Sequence, residues 1–333
     1  MLDDESLARA MKAADRARTP ADAPMSLRAE ADLQRILDSE PEMSRTREHR
    51  PRRRWIGVSV LAALAVLILA IAQSTIPHLP GEQSAAAVTP PLLHGDGMPI
   101  GLEAVVKQAK AVLAGDAESH RSAAYSAWFL QTDVAADPTA TVSYVSPQDI
   151  TTTWNPDLSG RMLTVAGNPI ATGDTSAGLP QDLPTPGTVI QDDSFAQGEM
   201  GILYTRTPPT NADAMRAYLA EGAGITDETD PVQMVDAAQL LLAEWTLGRA
   251  AQRALLDVLS TLTAQPMGAV TDRLGRGGVG FVMASSTDKR YEDILILAPQ
   301  TGAVLGIEKV YLGGVPDYAA LTTPAVISYL AWK

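Results

Sequence analysis

Residues 293–313 read DILILAPQTGAVLGIEKVYLG, and this stretch decides the fold. Two apolar runs flank Pro299-Gln300-Thr301-Gly302, four residues with the chemistry of a turn. So short a connection joins antiparallel neighbours, because a parallel crossover takes a dozen residues or more. Upstream, GAVTDRL (268–274) and GVGFVMASS (278–286) have the same strand character. Further back lie AAYSAWFLQTDV (123–134), TATVSYV (139–145), ITTTWN (150–155) and RMLTVAG (161–167). They are short, rich in β-branched and aromatic residues, and separated by Asn155-Pro156-Asp157 and Ser159-Gly160. Runs of strands and runs of helices, without strict βα repetition, indicate an α+β domain on an antiparallel sheet with packed helices.

The helices sit before and between these strands. GLEAVVKQAKAVLAG (101–115) places Leu102, Val105, Val106, Ala109 and Val112 on one face and offers Gly115 as a stop. Thr210-Asn211-Ala212-Asp213 resembles a capped start for ADAMRAYLAEG. PVQMVDAAQLLLAEWTLG opens with Pro231 in a first turn and is expected to close at Gly248. RAAQRALLDVLSTL aligns Ala254, Leu255, Val258, Leu259 and Leu262. Residues 173–198, rich in Pro, Gly and Asp, read as a long mobile surface loop.

The 333 residues are 46% hydrophobic and 20% charged, which excludes a wholly disordered chain. No cysteine is present, so disulfides, thiol chemistry and Cys-ligated metal centres are excluded. The net charge of −13 is unevenly spread, with +1 in residues 1–54 and −14 in residues 77–333. Between them WIGVSVLAALAVLILAIAQSTI (55–76) carries no formal charge. At about 1.5 Å per residue it reaches roughly 33 Å, enough for a hydrocarbon core near 30 Å, and it reads as a transmembrane helix.

The flanks set the orientation. RTREHRPRRR (45–54) holds six arginines, whereas the first basic residue beyond the span is Lys107. Arg50, Arg52, Arg53 and Arg54 would hold the N-terminus in the cytoplasm, with Trp55 at the membrane interface. The expected organisation is a cytoplasmic tail (1–54), a single transmembrane helix (55–76), a linker (77–99) and an extracytoplasmic domain (100–333), placing the chain in the cell membrane. A signal peptide cleaved after Ala72 is the competing reading, since Ala70-Ile71-Ala72 fits a small-x-small site. The apolar run exceeds the usual 7–15 residues of such a peptide, which favours a retained anchor.

The tail is read as short and helical. Leu27, Leu33, Ile36 and Leu37 recur at helical spacing. Too few apolar residues are present for an independent core, so the tail is either solvated or folds on a partner. In the second case Leu33, Ile36 and Leu37 are the contacts.

Chemical signatures are scarce. Gly275-Arg276-Gly277-Gly278-Val279-Gly280 matches GxGxxG, but a strand follows it where a dinucleotide site needs a helix, so a hairpin turn is expected. His49, His78, His94 and His120 show no metal spacing, and neither HExxH nor GxSxG occurs. The pairs Glu292-Asp293 and Asp192-Asp193 read as turn and loop carboxylates with no identifiable partner. Trp128, Trp154, Trp245 and Trp332, with the methionines, read as core, because only three phenylalanines are available to fill it. No catalytic, cofactor or metal residue is assigned, no enzyme activity is expected, and the acidic exterior excludes a nucleic-acid surface.

PRRRW with its apolar span, AVTPPLL, SAWF…ITTTWNPDLSGR, ADAMRAYL, RAAQRALLDVLSTL and TDRLGRGGVGF…ILAPQTGAVLG together resemble a family of uncharacterised actinobacterial single-pass membrane proteins. The resemblance covers nearly the whole chain and rests on structural motifs. Its layout is similar to that of membrane-anchored regulators of extracytoplasmic-function sigma factors, here without a zinc motif. It implies a sensor or regulator that binds an external signal and contacts a cytosolic transcription regulator through its tail. The alternative is an anchored binding or carrier module for an apolar envelope ligand.

Overall fold

Residues 89–130, 144–171, 184–318 and 321–333 are described by a computed structural model. The element order is α1 (Leu102–Val112), β1 (Ser122–Phe129), β2 (Tyr144–Val145), β3 (Gln148–Trp154), β4 (Gly160–Ala166), β5 (Ile170–Ala171) and β6 (Val189–Phe195). Then come α2 (Ala212–Ala223), α3 (Pro231–Glu244), α4 (Arg249–Ser260), β7 (Gln265–Thr271), β8 (Gly277–Ala284), β9 (Tyr291–Ala298), β10 (Ala303–Tyr311) and β11 (Ala325–Trp332). Nine strands form one antiparallel sheet in the order β6-β4-β3-β1-β11-β10-β9-β8-β7, and β2 pairs with β5. The expected α+β class is therefore observed.

Local chemistry explains most of the boundaries. Asn211 caps α2 by accepting from the Ala214 amide, and Gly224 ends it in a left-handed conformation at φ 66°. Asp230 caps α3, accepting from the Val232 and Gln233 amides, with Pro231 in the first turn. The glycine-rich 275–280 segment is a hairpin: Gly275 turns at φ 78° between β7 and β8, and the strand begins at Gly277. In β9–β10 the turn closes with the Gly302 amide donating to the Ala298 carbonyl at 2.8 Å, with Gly302 at φ 73°.

The helices cover one face of the sheet. Leu241, Leu255 and Leu259 meet Phe281, Met283, Leu295, Leu297 and Ile307, all buried. On the other face Ile294, Ile296, Val310, Val326, Trp128 and Tyr329 form a second cluster, against which Leu92 and Leu93 pack. With a layer on each side, β9, β10 and β11 are buried along almost their whole length and are mostly apolar.

One strand is added and three expectations change. AVISYLAW (325–332) is a strand, and it is the one that joins the sheet's two halves, pairing with both β1 and β10. Within the expected loop 173–198, residues 189–195 form edge strand β6 on β4. Its residues are mostly exposed, so hydrogen bonding rather than apolar periodicity holds it. Helix α3 ends at Glu244, and Gly248 instead precedes α4 as its N-cap. At the end of α1, Val112 is 45% exposed and Leu113 takes the buried place.

The described part of the expected linker belongs to the fold. Asp96 exchanges two backbone hydrogen bonds with Ala269 of β7, both 2.8 Å. The approach is close: a Cβ on Gly95 would collide with the Met267 carbonyl, and Gly268 sits at φ 97°. Residues 89–97 thus form a strap on the face opposite the helices. Among the described residues no helix is long and apolar enough to cross a membrane. The span expected at 55–76 lies outside them.

Candidate functional site

Strand β10 carries two charges in sequence, Glu308 and Lys309, inside an otherwise apolar run. Strand geometry sends consecutive side chains to opposite faces. Glu308 points to the strap face and Lys309 to the helix face, and each is neutralised there by a different part of the chain.

On the strap face Arg273, from the β7–β8 hairpin, clasps Glu308 with two parallel bonds, Nε to Oε1 at 2.7 Å and Nη2 to Oε2 at 2.6 Å. Only 11% of the Arg273 side chain and 2% of the Glu308 side chain are exposed. The same Nη2 donates to the Pro91 carbonyl of the strap at 2.8 Å. The guanidinium also lies 5.6 Å from the Tyr329 ring centroid, and Tyr329 stacks on Trp128. Burial raises the Glu308 carboxyl, and Arg273 opposes that rise. Asp272 and Arg276 shape the hairpin tip: Asp272 accepts from the Leu274 and Arg276 amides and binds the Arg276 guanidinium.

On the helix face the Lys309 Nζ lies 2.9 Å from Asp236 of α3 and 2.9 Å from Asp293 of β9. Lys309 and Asp293 are direct cross-strand partners. Asp293 is fully buried, and the Lys309 ammonium is its counter-charge. Burial would lower the Lys309 ammonium, but Asp236 and Asp293 together hold it raised. Burial raises Asp293 despite the pull of Lys309. Nearby, Ser285 donates to the α3 cap Asp230 at 2.5 Å. The sequence reading placed Asp293 in a turn without a partner. It is a core strand residue with one, and Asp192, read the same way, lies in β6 and is bound by Arg161 through two 2.6 Å bonds.

The far end of α3 is also charged. Glu244, 1% exposed, accepts from the Leu203 and Tyr204 amides at 2.8 and 2.9 Å. Burial pushes its carboxyl up to about 7, against the two amide bonds. Around it stand Trp154 and Trp245, edge to face at 5.1 Å, and the buried Tyr204. The four tryptophans read as core are core for Trp128, Trp154 and Trp245, while Trp332 is half-buried.

Arg50, Arg52, Arg53, Arg54, Trp55, Leu33, Ile36 and Leu37, singled out from the sequence, lie outside the described residues. Among the described residues no group of three His, Asp or Glu side chains could hold a metal ion. The residues that sequence reasoning missed are Arg273, Glu308, Lys309, Asp293 and Glu244. The available signal was a charge embedded in an apolar strand or helix, as in GIEKVY and LLLAEW. No protein-family model, curated protein or solved structure matches the chain.

Proposed function

We propose that the protein is a non-enzymatic, single-pass membrane-anchored sensor or regulator. Its 1–54 tail would lie in the cytoplasm and the domain described here outside. The observation that carries this reading is the pair Glu308–Lys309. Through Arg273 it fixes the strap that leads back toward the expected span, and through Asp236 it fixes α3 on the opposite layer. A simple tether needs no such attachment. A sensor does, because a displacement of the helix layer must reach the anchor through ordered contacts. The helix face of the sheet is filled by the chain's own side chains, which favours this reading over a carrier for an apolar envelope ligand.

The test is in-cell cross-linking from the cytoplasmic tail of the full chain. One protein recovered with the wild type should be lost when Leu33 and Ile36 are changed to Asp. Its yield should also change severalfold in Arg273→Gln, where the tail is intact but the strap is released. Recovery of an identical set from all three chains would remove the regulator reading.

A further inference from the structure

Basic residues are few in this acidic domain, and nearly all are occupied. Arg161, Arg206 and Arg290 pair with carboxylates, Arg249 and Arg253 donate to backbone carbonyls, and the remaining cations outside α1, Arg121 excepted, do one or the other. Among the described residues only Lys107 and Arg121 have no protein oxygen as partner. Lys107 is exposed on α1, where water solvates it. Arg121 is different: it is half-buried, and its Nε is enclosed without any hydrogen-bond acceptor.

What holds Arg121 is a pair of indoles. Its guanidinium carbon lies 5.3 Å from the Trp154 ring centroid and 5.2 Å from that of Trp245. Neither ring is free to move, because Trp154 Nε1 donates to the Glu244 carbonyl at 2.9 Å and Trp245 Nε1 to the Tyr204 carbonyl at 2.7 Å. The carboxylate of Glu244 accepts from the Leu203 and Tyr204 amides and not from Arg121. The result is a cation oriented by aromatic faces with its donor fork unspent. A guanidinium fork matches an oxyanion, through two parallel charge-assisted bonds. The Arg121 Nε alone is enclosed without a partner, which natural structures rarely allow, while the two terminal amino groups are not enclosed and stay open to an incoming ligand.

We propose that Arg121, framed by Trp154 and Trp245, is the recognition group of an oxyanion-binding site on this domain, taking a carboxylate or a phosphate group. The domain's −14 charge repels anions at long range, so selection there depends on the fork and not on the general field.

The test titrates the full chain in non-ionic detergent with sodium phosphate and, separately, with sodium acetate, against sodium chloride at matched ionic strength. Tryptophan fluorescence is the readout, because two indoles touch the binding group. Saturable binding of at least one oxyanion is expected, weakened tenfold or more in Arg121→Gln and unchanged in Lys107→Gln. The stronger of the two anions identifies the source as phosphate or carboxylate. Should Arg121→Gln fail to fold, Arg121→Lys keeps the charge and removes the fork, and it should bind severalfold more weakly. Absence of saturation with both anions, or equal binding in the wild type and a folded Arg121 variant, would overturn the proposal.

Discussion

Glu308 and Lys309 are consecutive residues of one strand, yet their charges are buried on opposite faces of the sheet, each against its own partner. Burying an ion is costly unless another charge meets it, so each side chain dictates what must lie above or below β10. Arg273 and the strap meet Glu308, and Asp236 of α3 with Asp293 meets Lys309. Three layers are thereby held in one register at a single point.

Breaking the strap side should be severe. Arg273→Gln leaves Glu308 buried without its cation, at a cost of roughly 3–5 kcal/mol. Adding Glu308→Gln should restore a large part of that loss, because no charge is then stranded. Urea unfolding of the single and double variants checks this, and cleavage within 89–97 by limited proteolysis should be faster in the single variant.

Acid should favour this fold at Glu244. Its folded-state carboxyl sits near 7, above the ordinary value of 4.5. Below the ordinary value both states are protonated and the stability is fully present. As pH rises toward 7 the unfolded chain releases its proton first, and stability falls, reaching a deficit of about 3 kcal/mol above 7. Burial of Asp293 acts in the same direction. Glu244→Gln should match the wild type at pH 5 and exceed it at pH 8, measured by chemical denaturation. A wild type that gains on the variant as pH rises would refute the assignment.

Strand β11 should be indispensable. Leu330 is fully buried between β1 and β10, and Leu330→Ala should cost about 2–5 kcal/mol. Removing 325–333 takes away the partner that β1 and β10 share, and cooperative thermal unfolding should be lost. At the sheet edge, by contrast, Asp192→Ala should leave the melt nearly unchanged, since the Arg161 and Asp192 side chains are 56% and 42% exposed.

The α3 cap joins a helix start to the sheet. Asp230→Ala removes two amide bonds and the Ser285 contact, and should lower stability by about 2 kcal/mol in a thermal melt. Asp230→Asn keeps an acceptor for the amides and should lose about half as much.

The domain also begins earlier than the sequence indicates. A chain starting at Ile100 lacks the Asp96–Ala269 pairing and the Pro91 contact. It should melt several degrees below one starting at Thr89, as followed by circular dichroism.

By itself the sequence determined what depends on neighbours along the chain. Hairpin turns at Gly275 and Pro299–Gly302, the caps at Asn211 and Asp230, and the buried stripe of α4 follow from residues within a few positions of one another. The α+β class follows from their order. Tertiary structure decided the rest, because the interactions concerned join residues far apart. AVISYLAW becomes the middle strand only because β1 and β10 each need a partner, about 200 and 20 positions upstream. VIQDDSF becomes a strand through backbone bonds to β4, which leave no apolar alternation to read. Glu308, Lys309 and Arg121 look like ordinary surface charges until burial sets which of them must find a counter-charge, and which is left with only two indoles.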